Sequence, residues 1–212
     1  MNSEKIKALI KNFSEFDYFD NVDLHIHSNY SDGKLSPARI LDKAKEKGLK
    51  YFSICDHNTL KAYLSTNIAR EESVIPAIEF DCWHKGVLIH ILGYGIDYTN
   101  KELQALCAKN KAGTSSDIVR FFSLRSPKKI IQAIKNAGGI AVLAHPACYW
   151  AVSLENFVKE LMEFGLEGLE VYYPYKRHRR IIKFHLSSAV KKIAEKYDLI
   201  QTGGTDSHGT CL

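Results

Sequence analysis

Seven short, apolar, β-rich runs separated by segments with helix start and stop signals constrain this chain more than any other feature. The runs cover residues 22–27, 51–55, 74–82, 87–94, 140–145, 169–173 and 199–202. Between them, Ser36-Pro37 supplies an N-cap and a first-turn proline, Ile40, Leu41 and Ala44 share one face, and Gly48 closes the helix. Ser126-Pro127 repeats the pattern ahead of Ile130, Ile131 and Ile134, with Gly138-Gly139 as the stop. Ser153 opens a helix over 154–164 that Gly165 ends, and a long amphipathic stretch, 180–198, precedes the last strand. Such alternation predicts an α/β fold, either a mostly parallel sheet or a closed barrel with helices outside. In both, functional side chains collect at the C-terminal ends of the strands. With 212 residues and neither a repeat nor a linker, the chain reads as a single domain in which residues 1–20 are an N-terminal extension.

The composition is that of a soluble globular protein: 45% hydrophobic, 25% charged, net charge +5. This mild basicity favours anionic partners. The longest apolar run, 87–96, is about half of the ~20 residues that span a bilayer and contains His90. The first residues mix Lys and Glu with apolar positions, unlike a signal peptide. The five cysteines are scattered with no C-x-x-C pair, which argues against a disulfide framework or a thiolate zinc knuckle and for reduced thiols in a cytoplasmic protein. No membrane partner is expected.

The nine histidines carry more information. The first run ends His25-Ile26-His27, and two residues two apart on a strand face the same way. The second ends Asp56-His57, and the third places Glu79 in an apolar stretch. The fourth holds His90, the fifth ends Ala144-His145-Pro146, and the last opens into Asp206-Ser207-His208. Singly, each has an ordinary reading: a satisfied core histidine, a solvent-facing edge glutamate, a strand terminus. Together they send His, Asp or Glu from six of seven strands to one end of the sheet. Burying that many ionisable groups side by side costs several kcal/mol apiece unless cations accompany them. Mixed imidazole and carboxylate donors suit Zn, Mn or Fe, and the set is too large for one tetrahedral ion. Two or three divalent metal ions are therefore expected.

The blocks His25-Ile26-His27-Ser28-Asn29-Tyr30-Ser31-Asp32-Gly33, Asp56-His57-Asn58-Thr59, Glu79-Phe80, Ala144-His145-Pro146 and Gly204-Thr205-Asp206-Ser207-His208-Gly209 resemble, in order, the motifs of the PHP (polymerase and histidinol phosphatase) family of metal-dependent phosphoesterases. The resemblance implies a distorted (β/α)7 barrel with a trinuclear centre in its mouth. Carried over position by position, it assigns His25, His27 and Asp206 to a first metal. Glu79 becomes a bridge to a second metal completed by His90 and His145, and Asp32, His57 and His208 hold a third. Asp56 would support the ligands without being one. The implied chemistry is in-line hydrolysis of a phosphate ester by a metal-bridging hydroxide held by Glu79, His145 and Asp206.

Two features depart from the family pattern. The stretch 97–139 is short where nucleotide-acting relatives carry a longer helical insertion, leaving little chain for a base-recognising cap, and the sequence ends three residues after Gly209. Residues 176–192 hold seven Lys/Arg and no acid; the ordinary reading is a solvated helix face. Arg177 and Arg179, directly after the sixth strand, are candidates to bind a substrate phosphate, with Arg120 and Arg125 as weaker ones. His84, His178 and His185 match no motif and read as surface or packing residues. The expected substrate is a small phosphorylated molecule, a nucleotide or a short oligonucleotide end, without sequence-specific nucleic-acid recognition. Alternatives are a histidinol-phosphate or sugar-phosphate monoesterase and a metal-stabilised domain without turnover.

Overall fold

A computed structural model describes residues 3–175 and 184–209. The elements run α1 (Ser3–Lys11), α2 (Glu15–Asp20), β1 (Val22–Ile26), α3 (Pro37–Lys47), β2 (Tyr51–Ile54), α4 (Lys61–Leu64), β3 (Ala77–His84), β4 (Val87–Tyr94), α5 (Lys101–Leu106), α6 (Ala112–Ser115), α7 (Asp117–Phe121), α8 (Pro127–Asn136), β5 (Ile140–Leu143), α9 (Leu154–Glu163), β6 (Gly168–Tyr172), α10 (Ser187–Lys196) and β7 (Ile200–Gly203). All seven expected strands are present within a few residues of their predicted positions. None of the described helices is long and apolar enough to cross a membrane.

The expected helix signals act as predicted with one exception. Ser36 accepts from the Arg39 N–H and Gly48 closes α3 in the left-handed conformation. Ser153 caps α9 by accepting from Asn156 N–H. Ser126 makes no capping bond, so α8 starts on Pro127 alone. The N-terminal segment is itself helical. Ser14 and Asp17 form a reciprocal capping box on α2. Ile6, Ile10 and Tyr18 bury themselves with Val22, Leu24, Ile140 and Ile200, and Tyr18 stacks on Tyr172 at 5.3 Å.

The strands do not close into the expected (β/α)7 barrel. They form a two-stranded parallel sheet, β1–β2, and a five-stranded sheet in the order β3-β4-β5-β6-β7. Single bridges link the two, Phe52 to Val74 and His57 to Glu79 on one side and Ile26 to Ser207 on the other. Parallel pairs dominate (β1–β2, β5–β6 and β6–β7), but β4 runs antiparallel to both neighbours. The cause is local: Lys85 and Gly86 both take positive φ (49° and 78°), the two-residue turn whose twist suits a tight hairpin.

This reversal matters for the site. In the β3–β4 ladder Ala77 pairs with Tyr94, Glu79 with Leu92 and Asp81 with His90. The face carrying Ala77, Leu92 and Tyr94 is apolar and packs with Val142 and Ile140. The opposite end of that face carries Glu79, Asp81 and His90. Because β4 is reversed, His90 reaches this end from the first half of its strand.

Two glycines let the loops close over β1. A Cβ on Gly33 would fall within the backbone of His27, and one on Gly204 would fall within the backbone and Cβ of His25. Both clash with main chain, which cannot swing aside. We therefore expect Gly204→Ala to destabilise the fold by about 1–3 kcal/mol, read as a Tm lowered by several degrees in thermal unfolding; an unchanged Tm would contradict this close approach.

Candidate metal centre

The nine predicted ligand residues come together in one cavity. His25 and His27 turn their Nε2 atoms to within 3.1 Å of one another. Asp206 Oδ1 lies 3.4 Å from the first and 3.1 Å from the second, and Glu79 Oε2 lies 3.3 and 3.2 Å away. The other Glu79 oxygen, Oε1, is 3.0 Å from His90 Nδ1 and 3.5 Å from His145 Nε2. His57 Nδ1 sits 3.3 Å from Glu79 Oε2. On the outer side, Asp32 Oδ1 is 3.3 Å from His208 Nε2 and 3.5 Å from His27 Nδ1. Three groups of donor atoms close enough to share an ion result: His25, His27 and Asp206; His57, Glu79 and His90; and His27, Asp32, His57 and His208.

Whether such a set suits cations can be read from its unsatisfied atoms. Of the ten buried side-chain polar atoms without a hydrogen-bond partner among the described residues, six belong to this cavity: His27 Nδ1, Asp32 Oδ1, His57 Nδ1, Glu79 Oε1, His90 Nδ1 and His145 Nδ1. An unpaired buried polar atom costs about 1–3 kcal/mol, and the other four are spread singly over Ser53, Tyr94, His185 and Thr202 among the described residues. The charges agree. Burial pushes the Glu79 carboxyl up, yet His57, His25 and His90 together hold it well below the usual carboxylate range. Burial likewise opposes ionisation of Asp206, but His25 and His27 hold it well down. Burial depresses His27, while hydrogen bonding to Asp206 and Glu79 overcomes this and lifts it to about 10. Carboxylate neighbours raise His25 and His27 while burial lowers His57, so the first two imidazoles offset most of the negative charge, a role divalent cations would take over with release of protons. The donor set fits metal ions.

The backbone is bent to present these groups. Asn58, His145 and Asp206 occupy the left-handed region, with φ of 53°, 29° and 50°. Residues other than glycine rarely adopt it, and it persists where the surroundings impose it. Buried carboxylates supply much of that imposition. Glu170 places Oε1 2.8 Å from His25 Nδ1, while its Oε2 accepts from the His145 N–H at 2.8 Å. The first bond orients the His25 ring with Nε2 towards the cavity. Asp23 accepts from Thr205 N–H and Oγ1–H and from the His25 N–H, pinning the last loop to β1. Asp56, as expected, is not among the clustered donors; it accepts from Ser28 N–H, Ser28 Oγ–H and Ser31 Oγ–H. The Tyr173 hydroxyl donates to Asp206 Oδ2 at 2.8 Å.

Sequence reasoning missed Asp81, Glu170, Asp23 and Tyr173. A signal existed for the first two. Asp81 is two residues after Glu79 and shares its face, and Glu170 is the one carboxylate in its buried strand. Of the weaker phosphate candidates, Arg120 is buried in the cavity wall, bonded to Asp32, Asp81 and His57. Arg125 instead donates to the Leu106 carbonyl. Arg177, Arg179 and His178 lie outside the described residues. His84 packs against Phe157 and Phe164 and bonds Glu160, the packing role expected of it; His185 is half-buried ahead of α10.

Glu170→Gln tests the scaffold. An amide has one acceptor oxygen, so either His25 Nδ1–H or His145 N–H then faces an NH2 group. Metal affinity should fall about 10–100-fold with an unchanged far-UV spectrum, measured by competition with a chromophoric chelator; wild-type affinity would show that Glu170 orients neither ligand.

The geometry agrees with three comparisons. The 5'-3' exoribonuclease Rnm of Escherichia coli is 34% identical, over 93% of this chain and 88% of its own length. The phosphoribosyl 1,2-cyclic phosphate 1,2-diphosphodiesterase of Eggerthella lenta is 24% identical over 88% of this chain and 94% of its own. Among solved structures, an amidohydrolase from Chromobacterium violaceum with bound sulfate superposes with a TM-score of 0.72 at 20% identity, covering 89% of this chain and 88% of that one. The PHP domain profile matches residues 23–200, ending just ahead of the loop that carries Asp206 and His208. Motif order, cavity and profile converge, and the chain belongs to the PHP domain family.

Proposed function

We propose that this protein, a metal-dependent phosphoesterase, hydrolyses phosphate esters of small nucleotides or short oligonucleotide ends. The observation that carries the reading is the position of Glu79. It is a fully buried carboxylate whose two oxygens face separate histidine sets, His25 and His27 on one side and His90 and His145 on the other. A bridging position between two ions suits such a group. His25, His27 and Asp206 would hold the first, and His90 and His145 the second. Asp32, His57 and His208 form the outer group that the family resemblance gives to a third ion, and Zn, Mn or Fe suit donors of this kind. Bound there, divalent cations supply water activation at neutral pH and neutralise charge on the phosphoryl group.

The remaining parts belong to the chain itself. Glu170 and Asp81 hold the imidazoles in orientation, and Tyr173 fixes one Asp206 oxygen. The outer wall, with His208 about one-third exposed, opens the cavity to solvent and to an incoming phosphate. The clustered donors are imidazoles and carboxylates, a set suited to direct attack by water. The E. coli and E. lenta relatives are named for RNA ends and a cyclic ribose phosphate, and a 3',5'-nucleoside bisphosphate phosphatase of C. violaceum is 27% identical over 68% of this chain. These favour a nucleotide substrate. A cytoplasmic setting suits the buried thiols of Cys55 and Cys82, neither of which is in a disulfide.

Chelation should abolish turnover, and Mn²⁺ or Zn²⁺ should restore it. A nucleoside 3',5'-bisphosphate or a 5'-phosphorylated dinucleotide should be hydrolysed with a higher kcat/KM than histidinol phosphate. A metal-loaded protein inert towards all three would overturn the reading. We further assign Arg177 and Arg179 to a second substrate phosphate. Replacing both with Ala should raise KM for the bisphosphate about tenfold, one lost charge-assisted contact being worth roughly 1.5–3 kcal/mol, with kcat nearly retained; an unchanged KM removes them from the site.

A further inference from the structure

Arg120 stands where part of the third ion's donor set should be free. It projects from α7 and is only 6% exposed. Its guanidinium meets Asp81 side-on, Nε to Oδ2 at 3.1 Å and Nη2 to Oδ1 at 3.1 Å, the paired geometry that arginine and a carboxylate favour. Asn58 bonds the same Asp81 carboxylate, and Asp81 N–H donates back to Asn58 Oδ1 at 3.1 Å, so the anchor is fixed. From this anchor Nη1 reaches Asp32 Oδ2 at 2.6 Å and Nη2 reaches His57 Nε2 at 2.7 Å.

A guanidinium has donors only and keeps its proton. His57 Nε2 must therefore offer Arg120 the lone pair that a metal would need, and one Asp32 oxygen is similarly engaged. His27 directs Nε2 to Asp206 and Glu79, committing that ring to the first group. Of the outer group this leaves Asp32 Oδ1 and His208 Nε2, fewer protein donors than a tightly held ion takes. Of the histidines around Glu79, Arg120 bonds only His57 among the described residues, which leaves His25, His27, His90 and His145 to the inner ions.

We infer that Arg120 is itself the third cation of this centre: the protein holds two exchangeable divalent ions around Glu79, and a fixed guanidinium fills the outer position between Asp32, His57 and Asp81. This rests on the metal-centre reading above and decides between two ions and three.

Metal content tests it directly. The full chain is loaded with excess Mn²⁺, freed of unbound ion by gel filtration, and counted by elemental analysis and native mass spectrometry. Wild type should carry two ions and Arg120→Met three, with Arg120→Lys remaining at two. A count that stays at two in folded Arg120→Met overturns the claim that the guanidinium excludes an ion. His208→Ala, in which Arg120 is untouched, should keep two ions; a drop in that variant, or three ions in wild type, overturns the inference while leaving the metal centre intact. No bound ion in wild type overturns the metal-centre reading itself, and this one with it.

Discussion

The structure depends on a buried carboxylate, Glu79, surrounded by imidazoles with almost no access to water. Removing an ionised group from water is tolerable only with compensating charge and hydrogen bonds. His25, His27, His57, His90 and His145 all lie within 3.5 Å of its oxygens. Those residues come from four strands or the loops just after them, and His25 and His145 are 120 residues apart in sequence. Satisfying Glu79 therefore obliges the strands to deliver their ends to one place, and the unpartnered nitrogens around it show that protein atoms alone do not complete the task. The cavity is built for cations.

Around that centre a second set of buried acids performs a different service. Asp23, Asp56 and Glu170 accept mainly from backbone N–H groups and hydroxyls, tying the last loop, the Ser28–Ser31 turn and the His145 bend to the strands. The bends at Asn58, His145 and Asp206 lie in backbone conformations that cost of order 1–3 kcal/mol each, a cost offset by these bonds. Local strain is thereby converted into fixed orientation of the clustered imidazoles and carboxylates.

The short segment between β4 and β5 has a role beyond connection. It contributes Arg120, whose charge enters the outer part of the cavity through Asp81. Asp81 and Arg120 form a unit: the acid is fully buried, faces His57 at 3.3 Å and His90 at 3.2 Å, and orients the guanidinium towards Asp32. Segment length alone suggested the loss of a cap; the structure shows a cationic wall in that region.

Much of the site was legible from residue types and local spacing. His-x-His on a strand, a carboxylate in an apolar run and Asp-x-His after the final strand are short-range signals, because side-chain alternation and the chemistry of each donor depend only on near neighbours. Helix limits at Ser36, Gly48 and Ser153 were legible for the same reason. The β4 reversal, the open seams between the two sheets, and the partnerships Glu170–His25 and Arg120–Asp81 came only from tertiary structure. Each is fixed by which distant segments pair, across 145 residues for Glu170 and His25 and 39 for Arg120 and Asp81, and such pairing depends on the energy of the whole packed arrangement. By itself the sequence determined which atoms are available to bind cations; the tertiary fold decided which of them remain free to do so, since a lone pair already accepting a buried hydrogen bond is no longer a ligand.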